Sequence, residues 1–137
     1  MRRLCAVLLA LAPLTAFAQS RPDTGTPLSA QAFEAHVTGH TVTYTQSGMV
    51  FGIEEYLTGR KVRWSVAPNQ CQYGSWYPQD DSICFVYEYD PVPHCWRFWM
   101  DGGALVALSD DADPGPQLHE TARTQTPLPC PGPDVGA

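Results

Sequence analysis

Two adjacent carboxylates, Glu54 and Glu55, are the side chains best suited to acid–base chemistry in this sequence. Enzymes use such groups as general acids or bases when a cleft holds one of them beside the reacting bond. Because successive residues of a strand point to opposite faces, only one of the two can face a cleft, and we expect the other to pair with Arg60 or Lys61. No nucleophile motif, phosphate-binding loop or dinucleotide fingerprint accompanies them. The sequence therefore leans away from an enzyme and indicates no catalytic residue.

The histidines and aspartates fit metal binding poorly. His36 and His40 have the spacing of two ligands on one helix face, but Gly39 is expected to end the helix between them. A stretch of three aspartates lacks the spacing and the distal glutamate of an EF-hand loop. These aspartates are Asp110, Asp111 and Asp113. We therefore expect solvated histidines and a charged linker, with no metal site and no cofactor.

The first eighteen residues have the three parts of a secretory signal peptide. Arg2 and Arg3 precede an apolar run, residues 4–14, that is shorter than the roughly 20 residues needed to cross a bilayer. Small residues then lead to Ala18, where we expect cleavage. The sequence thus predicts a periplasmic or secreted protein of about 119 residues with no membrane anchor after cleavage.

Four cysteines remain after the predicted cleavage, an even number that is typical of a disulfide framework in a small exported chain. Their spacing lacks the C-x2-C pair that zinc sites favour. They are Cys71, Cys84, Cys95 and Cys130.

The acidic balance of the chain excludes some partners. The net charge of −6 becomes −8 when the two signal arginines are removed, because six basic residues then stand against fourteen acidic ones. Nucleic acid and anionic lipid surfaces would repel such a protein, so we expect neither as a partner.

The elements that must position these groups are a short helix and a series of strands. Ser29 can cap a helix at Ala30–Val37, and Gly39 can stop it. The pattern then changes to period two, with turn-rich links about every ten residues. We predict a mainly β (α+β) fold: the helix, then a disulfide-stapled antiparallel meander that curls as a partial barrel or is covered by the helix. The predicted strands are 41–45, 50–53, 54–57, 61–66, 71–76, 83–89, 95–100 and 104–108.

The predicted domain organisation has four parts. After the signal peptide, residues 19–27 form a flexible lead-in and residues 28–108 a single β-rich domain. Residues 109–137 are rich in Pro and Asp and predict a mostly disordered tail. A disulfide at Cys130 would pin that tail to the domain.

The central hairpin can be tested by its register. With residues 90–93 as the loop, the facing pairs on one side are all apolar, which supports this pairing. They are Ile83 with Met100, Phe85 with Phe98, and Tyr87 with Trp96. The same register separates Cys84 from Cys95 by about four residues, too far for a disulfide. Either the loop is wider, or these two cysteines pair with Cys71 and Cys130.

Aromatic residues crowd this part of the sequence, and most are expected in the core. The predicted register puts Trp99 on the opposite face from Trp96 and Phe98, together with Arg97 and Val86. If no second layer covers that face, it is a candidate binding surface.

A run of motifs between residues 28 and 108 resembles a known family. The most specific part is G-x-W, then I-C-F-x-Y, then C-W-R-F, beginning at Gly74, Ile83 and Cys95. It is similar to the DUF995 family of small exported alphaproteobacterial proteins of unknown function. The resemblance implies a secreted, mainly β domain and carries over no site residue.

Three functions are compatible with this sequence. The first is a non-enzymatic binding or interaction module that contacts an envelope protein or a small molecule through the Trp99 face. The second is a small envelope hydrolase that uses Glu54 or Glu55. The third is a lipocalin-like carrier of a small apolar ligand, which would need an open cavity inside the sheet.

Overall fold

A computed structural model describes residues 25–67 and 70–130, so the predicted signal peptide and its cleavage site lie outside the described residues. One helix precedes eight strands that form a single antiparallel sheet. The elements are α1 (Ala30–Val37), β1 (Thr41–Gln46), β2 (Met49–Leu57), a 3-10 turn (Thr58–Arg60), β3 (Lys61–Ala67), β4 (Gln70–Gln79), β5 (Ser82–Tyr87), β6 (Asp90–Asp101), β7 (Ala104–Ser109) and β8 (Leu118–Thr124).

The helix forms where its capping residues predict it. The Ser29 side chain accepts a hydrogen bond from the Ala32 backbone N–H, and Gly39 has a positive φ of 78° after the last turn. The Gly39 N–H then donates to the Tyr56 carbonyl and joins the helix exit to β2. In the parts of the chain that the structure describes, no helix is long and apolar enough to cross a bilayer.

The sheet closes on itself. Each strand pairs with the next along the chain, and β8 pairs with β1 to complete a closed eight-stranded barrel. This confirms the predicted helix and antiparallel meander. Closure satisfies the backbone groups that an open edge would leave unpaired.

The helix fills one end of the barrel. Phe33 and Val37 are fully buried. The Phe33 ring lies 4.5 Å from that of Phe98, 5.3 Å from that of Trp76 and 5.7 Å from that of Tyr56. These partners lie near the turns that join β2 to β3, β4 to β5 and β6 to β7. The core is therefore packed at the end that carries those turns.

The predicted register of the central hairpin is wrong. Tyr87 pairs with Asp90, so the turn is at residues 88–89, and Ile83 pairs with Trp96 instead of Met100. The ladder is irregular beyond Phe85, where β6 carries two prolines that cannot donate ladder hydrogen bonds. β6 therefore starts at Asp90, five residues before the predicted start at residue 95. The pairing itself shifts by four residues, and because four is an even number the predicted inward face is unchanged.

The same shift decides the disulfides. It brings Cys84 directly opposite Cys95, and the two form one bridge. The other bridge joins Cys71 of β4 to Cys130, with the Cα atoms 5.7 Å apart. The disulfide framework is thus confirmed, with a pairing that the predicted register had excluded.

The prediction of a mostly disordered tail over residues 109–137 is wrong for residues 118–124. β8 lies within it and closes the barrel. Only Leu118 in this strand is a buried apolar residue, and its other positions are mostly polar and exposed. A strand with so little apolar alternation is recognisable only through the neighbours it pairs with.

Candidate functional site

The barrel interior is not filled at the end opposite the helix. A cavity of about 200 Å³ lies there, somewhat larger than the roughly 150 Å³ that can hold a benzene molecule. It reaches solvent beside Phe51 and His94, which are both exposed. Side chains of seven strands line it: Tyr44, Phe51, Glu54, Tyr56, Trp64, Gln72, Phe85, Tyr87, Asp90, His94, Trp96, Phe98 and Leu118.

Aromatic rings form most of the cavity wall. Phe51 lies 6.0 Å from Trp96 and 5.8 Å from Trp64, and Trp64 lies 6.4 Å from Tyr87. Tyr87 continues the series by stacking on Phe85 at 6.5 Å. A chain of neighbouring rings thus runs from the mouth of the cavity to the core beneath it.

Two glycines make room for this wall. A Cβ atom at Gly52 would lie 2.2 Å from the Trp64 indole, and one at Gly74 would lie 2.4 Å from the Val86 carbonyl oxygen and 2.7 Å from the Tyr87 ring. Real Cβ contacts are never so short, so a larger residue would displace the Trp64 ring at position 52, and the β5 backbone and the Tyr87 ring at position 74. The absence of these side chains lets Trp64 lie against β2 and Tyr87 against β4.

Glu54 is the acidic group inside the barrel, and 1% of its surface is exposed. Its only hydrogen-bond partner among the described residues is the Tyr87 hydroxyl, 3.3 and 3.2 Å from the two carboxyl oxygens. Burial raises the pKa of Glu54 well above its ordinary 4.5, and the Tyr87 hydrogen bond only partly opposes this. The carboxyl therefore has acceptor capacity that the folded chain does not use.

Three tyrosines surround the carboxyl. The Tyr44 and Tyr56 hydroxyls are hydrogen-bonded to each other at 2.8 Å. Burial, with the nearby Glu54 charge, raises the pKa of Tyr44, Tyr56 and Tyr87. These hydroxyls remain protonated and act as fixed hydrogen-bonding groups.

The remaining polar groups of the cavity are the side-chain amide of Gln72 and the His94–Asp90 pair. The Gln72 side-chain oxygen is buried and has no hydrogen-bond partner within residues 25–67 and 70–130. Near the mouth, His94 Nε2 lies 2.8 Å from Asp90 Oδ2, and this hydrogen bond lowers the pKa of Asp90. No lysine or arginine is among the described residues that line the cavity. The site therefore presents negative charge and lone pairs with no fixed cation.

Glu54 and Glu55 point to opposite sides of β2, as their adjacency predicts. Glu55, however, does not pair with Arg60 or Lys61. One of its carboxylate oxygens lies 2.7 Å from Nη2 of Arg63, its cross-strand neighbour, and it also accepts the backbone N–H of Leu128. Arg60 instead pairs with Glu34 of the helix at 3.2 Å.

The predicted outer binding surface is only partly assembled. Arg97 lies over the Trp99 ring at 5.9 Å and pairs with Asp110 at 2.7 Å. The Trp99 indole N–H donates to the Gly25 carbonyl of the segment before the helix. Val86 pairs with Ser75 and lies where the β5–β6 ladder is irregular, so it does not face Arg97. Recognition through Trp99 and Arg97 stays a prediction.

His36, Asp110 and Asp111 have structural partners. His36 Nε2 lies 2.8 Å from Glu120, which also accepts the Leu105 backbone N–H, so this pair ties the helix to the barrel. Asp110 and Asp111 contact Arg97, Ser82 and Ser109. Across residues 25–67 and 70–130, no three His, Cys, Asp or Glu side chains are grouped as metal ligands.

Most cavity residues were not predicted as a site. Their signal in the sequence is the alternation of Gly52, Glu54 and Tyr56 on one side of β2, where an acid falls on the face that should be apolar. The face of Glu54 becomes clear only once the strand is placed in a closed barrel.

Comparison of this chain with protein-family models, curated proteins and solved structures finds no match.

Proposed function

We propose that this protein is a non-enzymatic exported binding protein that holds a small organic ligand in the barrel cavity. The observation that carries this proposal is an aromatic cavity with a buried carboxyl, open at one end of a barrel whose other end is packed. Ligand sites are typically concave and mostly apolar, with a few polar groups that orient the ligand. The cavity has this composition.

The groups around Glu54 favour binding over hydrolysis. Hydrolysis needs, besides an acid such as Glu54, a neighbouring group that activates the nucleophile. The hydroxyls nearest to Glu54 are tyrosines whose pKa values are raised by burial, so they exchange protons poorly. The arrangement supports a carrier or receptor for a ligand that leaves unchanged.

The periplasm is the location that we propose. The two disulfides support it because such bonds persist in oxidising compartments. The predicted signal peptide agrees with this location, and the family resemblance adds the expectation of export.

The test uses the oxidised chain from residue 19 onward and three probes of similar shape: 2-phenylethylamine, 2-phenylethanol and phenylacetate. Calorimetry and tryptophan fluorescence report binding. We expect at least one probe to bind, and Trp64→Phe to weaken that binding several-fold by removing part of the wall. Trp99→Phe is the matched control on the outer surface and should have no effect.

The opposite pattern has a clear meaning. If Trp99→Phe weakens binding and Trp64→Phe does not, the outer surface is the site and the cavity proposal is wrong. If none of the three probes binds at millimolar concentration, the cavity is not a site for ligands of this size.

A further inference from the structure

Resting on the proposed function, we infer that the ligand class is a protonated organic amine, with its ammonium group at Glu54, in the cavity that Gln72 also lines, and its apolar part against the aromatic wall. The unused acceptors in the cavity point to a ligand rich in N–H donors. From the part of the chain that the structure describes, Glu54 accepts only long hydrogen bonds from Tyr87, and the Gln72 oxygen accepts none. An ammonium group offers up to three donors for these oxygens.

Charge separates an amine from the alternative ligands. An anion such as a fatty acid would meet the ionised Asp90 and would oppose the ionisation of Glu54, with no lysine or arginine among the described lining residues to balance it. A neutral apolar ligand would cover the carboxyl and the amide oxygen without satisfying either, which costs free energy for each buried group. Of these three ligand classes, the ammonium ion is the one that brings N–H donors to both groups together with a charge that favours ionised Glu54.

The wall is suited to the same ligand. Cations are attracted to the faces of tryptophan and tyrosine rings, more strongly when water is excluded. Trp64 and Tyr87 flank the carboxyl region, and the glycines at 52 and 74 give their rings space there. The carboxyl and the rings therefore act on one bound charge.

A pH dependence follows from the groups that face Glu54. These are the hydroxyls of Tyr44, Tyr56 and Tyr87, which stay protonated, with Asp90 and His94 of β6 at the mouth. Glu120 of β8 acts on Tyr44 and is held by His36 and Arg123. Because burial raises the pKa of Glu54 in the empty protein, an arriving ammonium ion must displace the carboxyl proton. Affinity for an amine should then increase with pH and level off above that pKa.

The experiment compares the three probes across pH 5–8 by calorimetry in buffers of different ionisation enthalpy. The amine probe remains charged throughout, since alkyl ammonium groups have pKa values of about 10. We expect 2-phenylethylamine to bind at least 10-fold more tightly than 2-phenylethanol, and phenylacetate not to bind. Proton release should accompany amine binding at the acidic end of the range.

Glu54→Gln keeps the shape of the side chain and removes its charge. We expect this variant to lose at least 10-fold in amine affinity, together with the pH dependence and the proton release. Glu34→Gln is the control: it removes one acidic charge from a partly exposed ion pair outside the cavity and should change none of these quantities.

Two results would overturn the amine assignment while the binding function stands. One is tighter binding of the alcohol or of phenylacetate than of the amine. The other is an unchanged amine affinity in Glu54→Gln. If no probe binds, the binding function and the amine assignment fail together. Proton release is measured in the unmodified protein, so the assignment can be tested even if Glu54→Gln does not fold.

Discussion

Glu54 lies inside the barrel with one hydrogen-bonding neighbour among the described residues, whereas the next residue, Glu55, has an arginine and a backbone N–H as partners. Two identical side chains thus have opposite environments because alternate residues of β2 face opposite sides. A buried acid with few partners lowers stability unless something else satisfies it. Natural sequences keep such exceptions mostly at functional sites.

We predict that Glu54→Gln stabilises the empty protein at neutral pH. A carboxyl whose pKa is raised in the folded state holds its proton more tightly there than in the unfolded chain. This tighter proton binding stabilises the fold fully at pH values below the pKa of Glu54 in the unfolded chain, near 4.5. The stabilisation is lost as the pH rises towards the pKa of Glu54 in the folded protein. The variant should melt several degrees above the original protein at pH 7 and close to it at pH 4, as measured by circular dichroism. If the variant and the original protein melt at the same temperature at pH 7 as well as at pH 4, burial of the Glu54 charge does not lower the stability of the fold.

The helix and the barrel depend on each other. α1 has only eight residues, which is too short to be stable alone in water. Its burial of Phe33 among Tyr56, Trp76, Phe85 and Phe98 holds it in place and closes the packed end of the barrel. The two ends therefore differ, with a core at one and a cavity at the other.

We predict that Phe33→Ala lowers the free energy of unfolding by about 3–5 kcal/mol, the usual effect of deleting a buried aromatic ring. Phe51→Ala is the matched change at the open end, where the ring is 39% exposed, and it should cost much less. Urea denaturation measures both. Similar losses for the two variants would contradict the division of the barrel into a packed end and an open end.

The two disulfides act over very different lengths of chain. Cys71–Cys130 spans a sequence separation of 59, whereas Cys84–Cys95 spans 11 within one hairpin. The longer bridge holds the segment after β8, where Thr41 Oγ1 donates to the Thr126 carbonyl and the Leu128 N–H donates to Glu55. It thereby fastens the last segment to the outside of the closed barrel.

We predict that Cys71→Ala with Cys130→Ala is more destabilising than Cys84→Ala with Cys95→Ala. The chain-entropy model gives about 4 kcal/mol for the longer loop and about 3 kcal/mol for the shorter one. Chemical denaturation of both double variants measures the difference. A larger loss for the hairpin pair would show that local packing around the buried Cys84, and not loop length, dominates.

The sequence by itself determined the helix, seven of the eight strands and most of their faces. Ser29 and Gly39 marked the helix ends, and the alternation of Ile83, Phe85 and Tyr87 identified the inward side of β5. These features are local: a cap or a period of two is complete within a few residues. The inward face was predicted correctly although the hairpin register was wrong, because the register error was an even number of residues.

Only the tertiary structure decided the register, the cysteine pairs, the role of β8 and the cavity. Each depends on residues far apart in the chain. Cys71 meets Cys130 only after β8 has closed the barrel, and β8 itself has too little apolar alternation to be recognised alone. Glu54 becomes a candidate ligand group for the same reason: barrel closure leaves space beside it and packs Phe33 at the other end.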